Sequence, residues 1–360
     1  MTDIEIIPLA TEVFGVLRIP KSIVINDELE AIAKRAAELA RRSKADNTQR
    51  AYRSAWKQYA TWCARFDFEP IGADPQVVAL HIADIADRLA PATVRLRLSA
   101  IVAAHRLLGL QLDPKHHAIA AVLAGAMRPN APHRKRLAKP VQSDALRRIS
   151  EACPADAVGV RDRAMILLGF GAACRRSELV ALTIADVILD ERGAAVTFTR
   201  SKTDQDGKGA VVAIHGSDDP VLDVRAALAA WLAIRYRRRV KEQGKPLPED
   251  LRTGAAPLFC QLAKNGQPMG RPLSAYAVVR MIKAAAVRAG LDPTGYSGHS
   301  LRSGLATTAA GAGASLAEIM DQGRWKSVEM AKHYVRDAEI WRNPASRTMA
   351  GGRRAEQGGK

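Results

Sequence analysis

Acidic residues are scarce in this chain: 37 Asp and Glu stand against 54 Lys and Arg, for a formal net charge of +17 and a pI near 10.1. That field favours polyanions, nucleic acid first, although a GC-rich coding bias toward Arg produces a similar excess. Aromatics are only 5% of residues while hydrophobics reach 48%, so the core must lean on Ala, Leu, Val and Ile, as helical proteins do. The four cysteines, Cys63, Cys153, Cys174 and Cys260, include no C-x-x-C pair, which excludes a zinc ribbon or disulfide framework and fits a reducing cytoplasm. No run is long and apolar enough for a membrane span, and the opening MTDIEIIPLA lacks the basic and apolar regions of a signal peptide, so a soluble cytoplasmic protein is expected. A P-loop and the carboxylate cluster of a metal nuclease are absent as well.

A length of 360 residues suggests two domains. Residues 1–45 read as an N-terminal extension ending in a charged, Ala-rich helix. From Asp46 the pattern sharpens: Tyr52, Trp56, Tyr59 and Cys63 share one helical face, with Arg50, Arg53 and Lys57 on another. Asp74-Pro75 caps a second helix, with Val78, Ile82, Ile85 and Leu89 at core spacing. A third runs from about Ala92 to Leu108, Val94 and Leu98 inward, Arg95 and Arg97 available outward; Asp113-Pro114 opens a fourth. Together, residues 46–126 predict a compact helical domain. Residues 127–140, with Arg134, Lys135 and Arg136 among five basic groups and no acid, read as a basic linker that could run beside phosphates. Residues 141–345 predict a second, mainly helical domain broken by one β-hairpin, AVTFTR and AVVAIH around SKTDQDGKG; residues 346–360 read as a flexible tail.

Cleaving a phosphodiester without a metal needs a nucleophile, positive charge on the non-bridging oxygens and a proton donor for the leaving oxygen. Several segments supply such groups. After the apolar stretch MILLGFGAAC comes RRSEL, in which Glu178 is spaced to hold the guanidinium of Arg175. In GHSLRSG, His299 and Arg302 are three apart, one face of a helix. Ser315 and Glu318 form a capping box, followed by a turn with Gly323 and Trp325 and a helix ending near Tyr334. Taken singly, each has an ordinary structural explanation: an Arg–Glu pair at a helix end, a core Trp, a surface Tyr.

Jointly and in order, Arg175, Lys202 in the hairpin, His299-x-x-Arg302, Trp325 and Tyr334 resemble the catalytic set of the tyrosine recombinase, or phage integrase, family over about residues 46–340. Trp325, GHSLRSG and the E-I-M…G-x-W run look more like its Cre-like branch than its Xer branch. The resemblance implies a two-domain C-shaped DNA clamp, mainly α with a small β-sheet in the catalytic domain, and makes residues 46–126 its core-binding, DNA-binding domain. It implies site-specific cleavage and rejoining through a 3′-phosphotyrosine on Tyr334, with Arg175 and Arg302 on the phosphate. Lys202 is the implied general acid, preferred over Lys208; His299 and Trp325 orient the phosphate, and Glu178 positions its neighbours. Ala172-Ala173-Cys174-Arg175 departs from the family's T-G-L-R, so the choice of Arg175 over Arg176 rests on the spacing to Glu178. The implied partners are an inverted-repeat DNA duplex and further copies of the chain, a homodimer on one site and a homotetramer in the synapse, at the nucleoid. No cofactor or metal is implied. A type IB topoisomerase shares this chemistry, and a DNA-binding regulator without activity could share the fold; a covalent adduct with DNA separates the latter.

Overall fold

The computed structural model describes residues 46–128, 138–199, 209–237 and 246–339, with isolated positions between Glu28 and Leu39. The chain divides into two compact units, residues 1–135 and 136–360, and is mainly α with small antiparallel sheets, as expected.

In the first unit, α1 (Asp46–Arg65), α2 (Pro75–Ala86), α3 (Pro91–Leu107) and α4 (His117–Met127) enclose one core. The i, i+3, i+4 spacing of α1 buries Trp56, Tyr59 and Cys63 completely. α2 begins as its sequence dictates: Pro75 takes the first position and the Asp74 carboxylate accepts from the Gln76 N–H at 2.7 Å. The fourth helix starts at His117 instead of Asp113-Pro114. There the Asp113 side chain accepts from the Lys115 N–H at 2.8 Å, closing a tight turn that uses up the expected cap before the helix begins.

The second unit opens with α5 (Ser143–Glu151), α6 (Ala157–Gly171) and α7 (Arg176–Ala181). Next come β1 (Val187–Asp190), β2 (Gly193–Phe198) and β3 (Ala210–His215), then α8 (Val224–Tyr236) and α9 (Glu249–Arg252). After β4 (Cys260–Leu262) and β5 (Pro268–Pro272) follow α10 (Ala275–Arg288), α11 (Ser300–Gly311), α12 (Leu316–Gly323) and α13 (Val328–Glu339). Ala164, Met165, Ile166, Leu167 and Leu168 of α6 are all buried. With no polar stripe, this helix belongs at the centre, where each large apolar side chain contributes roughly 1.5–3 kcal/mol. α6 packs against α8, whose Trp231 donates to the Leu258 carbonyl at 2.8 Å, and against α11.

The expected hairpin is β2–β3, in register from Gly193↔His215 to Phe198↔Ala210. It is part of a three-stranded sheet, because β1 pairs with β2, and β4–β5 form a separate hairpin. β1 is only four residues long, too short for alternation to register, and Pro268 and Pro272 argue against a strand unless it lies at an edge, as β5 does. The last helix also continues beyond Tyr334 to Glu339.

The first core holds one unusual group. His81 is 2% exposed, with the Tyr59 and Trp62 rings at 5.1 and 5.0 Å, and neither of its ring nitrogens has a partner among the described residues. Burial, reinforced by the charge of Arg97, pushes its pKa down from 6.5 to about 4; Arg88 acts the same way and Asp84 opposes them. The folded state therefore binds fewer protons than the unfolded one between pH 6.5 and 4, so stability falls as pH drops through that window. The loss should reach about 3 kcal/mol by pH 4 at ~1.36 kcal/mol per pKa unit. Urea melts of the full chain and of His81→Leu between pH 4 and 7 check this: the substitution should flatten the slope, and equal slopes would remove His81 as its source.

Candidate active site

α6 ends in a turn of defined geometry. The Cys174 N–H donates to the Gly169 carbonyl and the Ala173 N–H to the Phe170 carbonyl, both at 2.9 Å, with Ala173 at φ 45°. This is a Schellman motif with Ala at the left-handed position that Gly usually takes, at a cost of about 1–2 kcal/mol. α12 ends the same way: Trp325 N–H to Met320 carbonyl, Arg324 N–H to Asp321 carbonyl, and Arg324 at φ 55°. Strain of this kind persists only where surrounding contacts enforce it.

The first turn presents Arg175 as the cap of α7. Glu178, at the third helical position, accepts from the Arg175 N–H at 2.9 Å and from its guanidinium at 2.5 Å. Arginine has no acceptor, so the reciprocal half of a capping box is missing and the carboxylate serves Arg175 alone from this side. From the other side Arg324 donates to the same carboxylate at 2.9 Å. Burial pushes the Glu178 carboxyl up, but the Arg175 backbone and side-chain hydrogen bonds and the charge of Arg324 outweigh it and leave it below the ordinary carboxylate value.

Arg302, on α11, is 1% exposed; it donates to the Ala173 carbonyl at 2.6 Å and its guanidinium lies 4.1 Å from the Trp325 ring centre. His299 caps the start of α11 and keeps an open face to solvent. Desolvation on its packed side, then Arg302, Arg175 and Arg176, push its pKa below the ordinary imidazole value, so it is neutral at pH 7. Small residues make this closeness possible: a Cβ at Gly304 would stand 2.2 Å from the Val141 carbonyl, and one at Gly323 would stand 1.6 Å from the Trp325 ring. Ala306, Ala310 and Ala331 line the shared core of α11 and α13, together with Trp325 and Val335.

Of the catalytic residues expected from sequence, Arg175, Glu178, His299, Arg302 and Trp325 thus converge. Tyr334 lies on α13, between Ala331 and Val335 of that core, but its side chain falls outside the described residues. Lys202 and Lys208 lie outside them as well, as do Arg134, Lys135 and Arg136. In the first unit Arg50, Arg53, Lys57 and Arg95 are exposed, whereas Arg97 is half-buried and donates to Gln58, tying α3 to α1. Sequence reasoning missed Arg324: an arginine between Gly323 and Trp325 carries no signal, and its partner Glu178 is 146 residues away.

Among the described residues, two guanidinium groups, Arg175 and Arg324, share the carboxylate of Glu178, and a third, Arg302, is held nearby on the Ala173 carbonyl, an excess of positive charge suited to an anion. This cluster lies in the second unit of a mainly helical fold. The chain belongs to the phage integrase family, whose pattern matches residues 139–339, and is an enzyme of the tyrosine-type site-specific recombinase class. It is 30% identical over 327 residues to the integrase/recombinase xerD homolog of Selenomonas ruminantium, covering 90% of both chains. It is 23% identical over 319 residues to the recombinase cre of Escherichia phage P1, covering 83% of this chain and 86% of that one. Both branches are therefore represented, and the identity to the Cre protein is the lower. In fold it resembles the XerH site-specific recombinase bound to palindromic difH substrate (TM-score 0.60, 15% identity, 88% of this chain and 84% of that one). It also resembles a lambda integrase dimer bound to a COC′ core site (TM-score 0.54, 18% identity, 85% and 94%).

The contact between Gly323 and Trp325 is testable. Gly323→Ala must displace the indole that lies against Arg302, at a cost of about 1–3 kcal/mol in stability. DNA cleavage should slow by roughly tenfold or more, since misplacement of about 1 Å near reacting groups has costs of that order. An unchanged melting temperature together with an unchanged rate would show that the indole's position is not constrained.

Proposed function

We propose that this chain cuts and rejoins duplex DNA through a covalent 3′-phosphotyrosine on Tyr334, two protomers on an inverted-repeat site and four in the synapse. The excess of buried guanidinium charge around a single carboxylate carries this reading. It suits the scissile phosphate, whose non-bridging oxygens gain charge as the phosphorane forms. The Tyr334 hydroxyl gives up its proton to solvent as its oxygen attacks phosphorus, the P–O5′ bond breaks opposite it, and Lys202 delivers a proton to the departing 5′-oxygen. Arg175 and Arg302 hold the non-bridging oxygens with donors that stay charged at any working pH. Neutral His299 and the Trp325 ring orient the phosphate from the other side, and Glu178 keeps the Arg175 guanidinium in register. The bond energy is kept in the phosphotyrosine, so attack by a 5′-hydroxyl reverses the step without nucleotide or metal. The relatives support a DNA substrate: XerH and lambda integrase are each seen bound to their sites. Exposed Arg50, Arg53, Lys57 and Arg95, with Arg134, Lys135 and Arg136 of the linker, are assigned to the duplex backbone, where each lost contact lowers the salt dependence by about one unit of log K per log salt. No described helix is long and apolar enough to cross a membrane, and we place the protein at the nucleoid.

The test begins by incubating the chain with a randomised duplex library and isolating DNA that stays bound after denaturation. Tyr334→Phe should retain binding to the captured sequence and form no adduct, because only the attacking oxygen is removed; continued adduct formation would move the nucleophile elsewhere. The general acid is assigned with a captured duplex carrying sulfur at the bridging 5′ position, since a thiolate leaves without protonation. Lys202→Ala should be slowed by roughly two to four orders of magnitude on the oxygen substrate and rescued on the sulfur one. Rescue of Lys208→Ala instead would reverse the assignment.

A further inference from the structure

Three consecutive carbonyls close α6 just before Arg175, and each accepts from a side chain far along the sequence. The Gly171 carbonyl accepts from the Gln322 amide at 2.8 Å, the Ala172 carbonyl from Arg324 at 2.9 Å, and the Ala173 carbonyl from Arg302 at 2.6 Å. Helix C-terminal carbonyls lack partners within their own helix and carry partial negative charge, so cations and amides are suited to them. Gln322 also donates to the Ala213 carbonyl of β3 at 3.0 Å, and the Arg324 guanidinium lies 3.7 Å from the ring centre of Phe198, the last residue of β2. The end of α12 thereby touches both strands of the hairpin and the turn that carries Arg175.

We infer that Arg324, seconded by Gln322, is a positioning residue for the reaction, a latch that holds the Arg175 turn and the hairpin in one geometry through Glu178 and the α6 carbonyls. The inference rests on the reading of the site given above and extends it to a residue that the family pattern, G-x-W, leaves unspecified. Three observations converge on it. Arg324 occupies a left-handed backbone position that glycine fills more readily. Its side chain is only 9% exposed. Its two terminal nitrogens reach different partners, Ala172 and Glu178, a division that a lysine's single nitrogen does not reproduce in the same geometry. The groups facing the Glu178 carboxylate are Arg175 on its own helix, Arg324 from the end of α12, His299 and the buried Cys174 thiol.

The experiment compares the unaltered chain, Arg324→Gly and Arg324→Lys on the duplex captured by the unaltered chain, measuring equilibrium binding and the rate of covalent adduct formation separately. The glycine variant relieves the backbone strain, so it is the one most able to keep its fold while losing the latch. Its binding should stay within about 3-fold while adduct formation slows by about 100-fold or more, with lysine between the two. The pH dependence of stability gives a second readout. The Glu178 pKa is held below 4.5, so its contribution to stability is present above that pH and is lost as pH falls through the folded value. Without Arg324 the folded value rises, and the acid loss of stability should begin at a higher pH. Adduct formation by the glycine variant at the unaltered rate overturns the inference, as does a loss of binding as large as the loss of rate. If the glycine variant melts below the assay temperature, the lysine variant is decisive: slowed cleavage at unchanged binding supports the latch and an unchanged rate overturns it. No capture by the unaltered chain at all would sink the recombinase reading itself, and this inference with it.

Discussion

The carboxylate of Glu178 is the point on which the catalytic unit turns. A buried carboxylate carries a desolvation cost of several kcal/mol unless its lone pairs are taken. Here one oxygen takes the Arg175 guanidinium, and the other takes the Arg175 N–H and Arg324. Removing the carboxylate would strand buried guanidinium groups close together; removing either arginine would leave the carboxylate short of donors. The arrangement therefore fixes three backbone segments at once: the end of α6, the start of α7 and the end of α12. Net charge nonetheless stays positive among the described residues, and a bound phosphate is the natural complement.

Geometry around that carboxylate depends on two helix ends built alike. Ala173 and Arg324 are both non-glycine residues at positive φ, each at the left-handed position of a Schellman turn, Arg324 directly before Trp325 and Ala173 two residues before Arg175. Their strain is small beside the contacts that enforce it. Ala173 is fully buried in the core of α11 and α13, and its carbonyl is held by Arg302. The close approach of Gly323 to the Trp325 ring, and of Gly304 to Val141, then lets the aromatic and cationic groups stack.

The helical unit follows a different economy. Its core is mainly aliphatic with one aromatic cluster, Trp56, Tyr59 and Trp62 around His81 and His105, and Arg50, Arg53, Lys57 and Arg95 stay exposed on α1 and α3. Packing sets its fold, whereas the exposed Arg50, Arg53, Lys57 and Arg95 contribute little to stability.

What could be read from the sequence were interactions spanning a few residues. The Asp74-Pro75 start of α2, the Ser315–Glu318 capping box and the Arg175–Glu178 pair are all visible, because partners within one helical turn must appear at fixed spacing. The family pattern, carried by Arg175, His299, Arg302, Trp325 and Tyr334, is legible for a related reason: each motif is short, even though the motifs are far apart. Tertiary structure alone decided the rest. The four residues of β1 gain strand character only beside β2, and β5 tolerates its prolines only at an edge. Arg324 meets Glu178 across 146 residues and Gln322 meets Gly171 across 151. Periodicity and capping describe neighbours along the chain; they hold no information about which distant helix end arrives with a guanidinium, because only the packing of α11 against α6, with α12 and α13 on α11, brings those groups into one place.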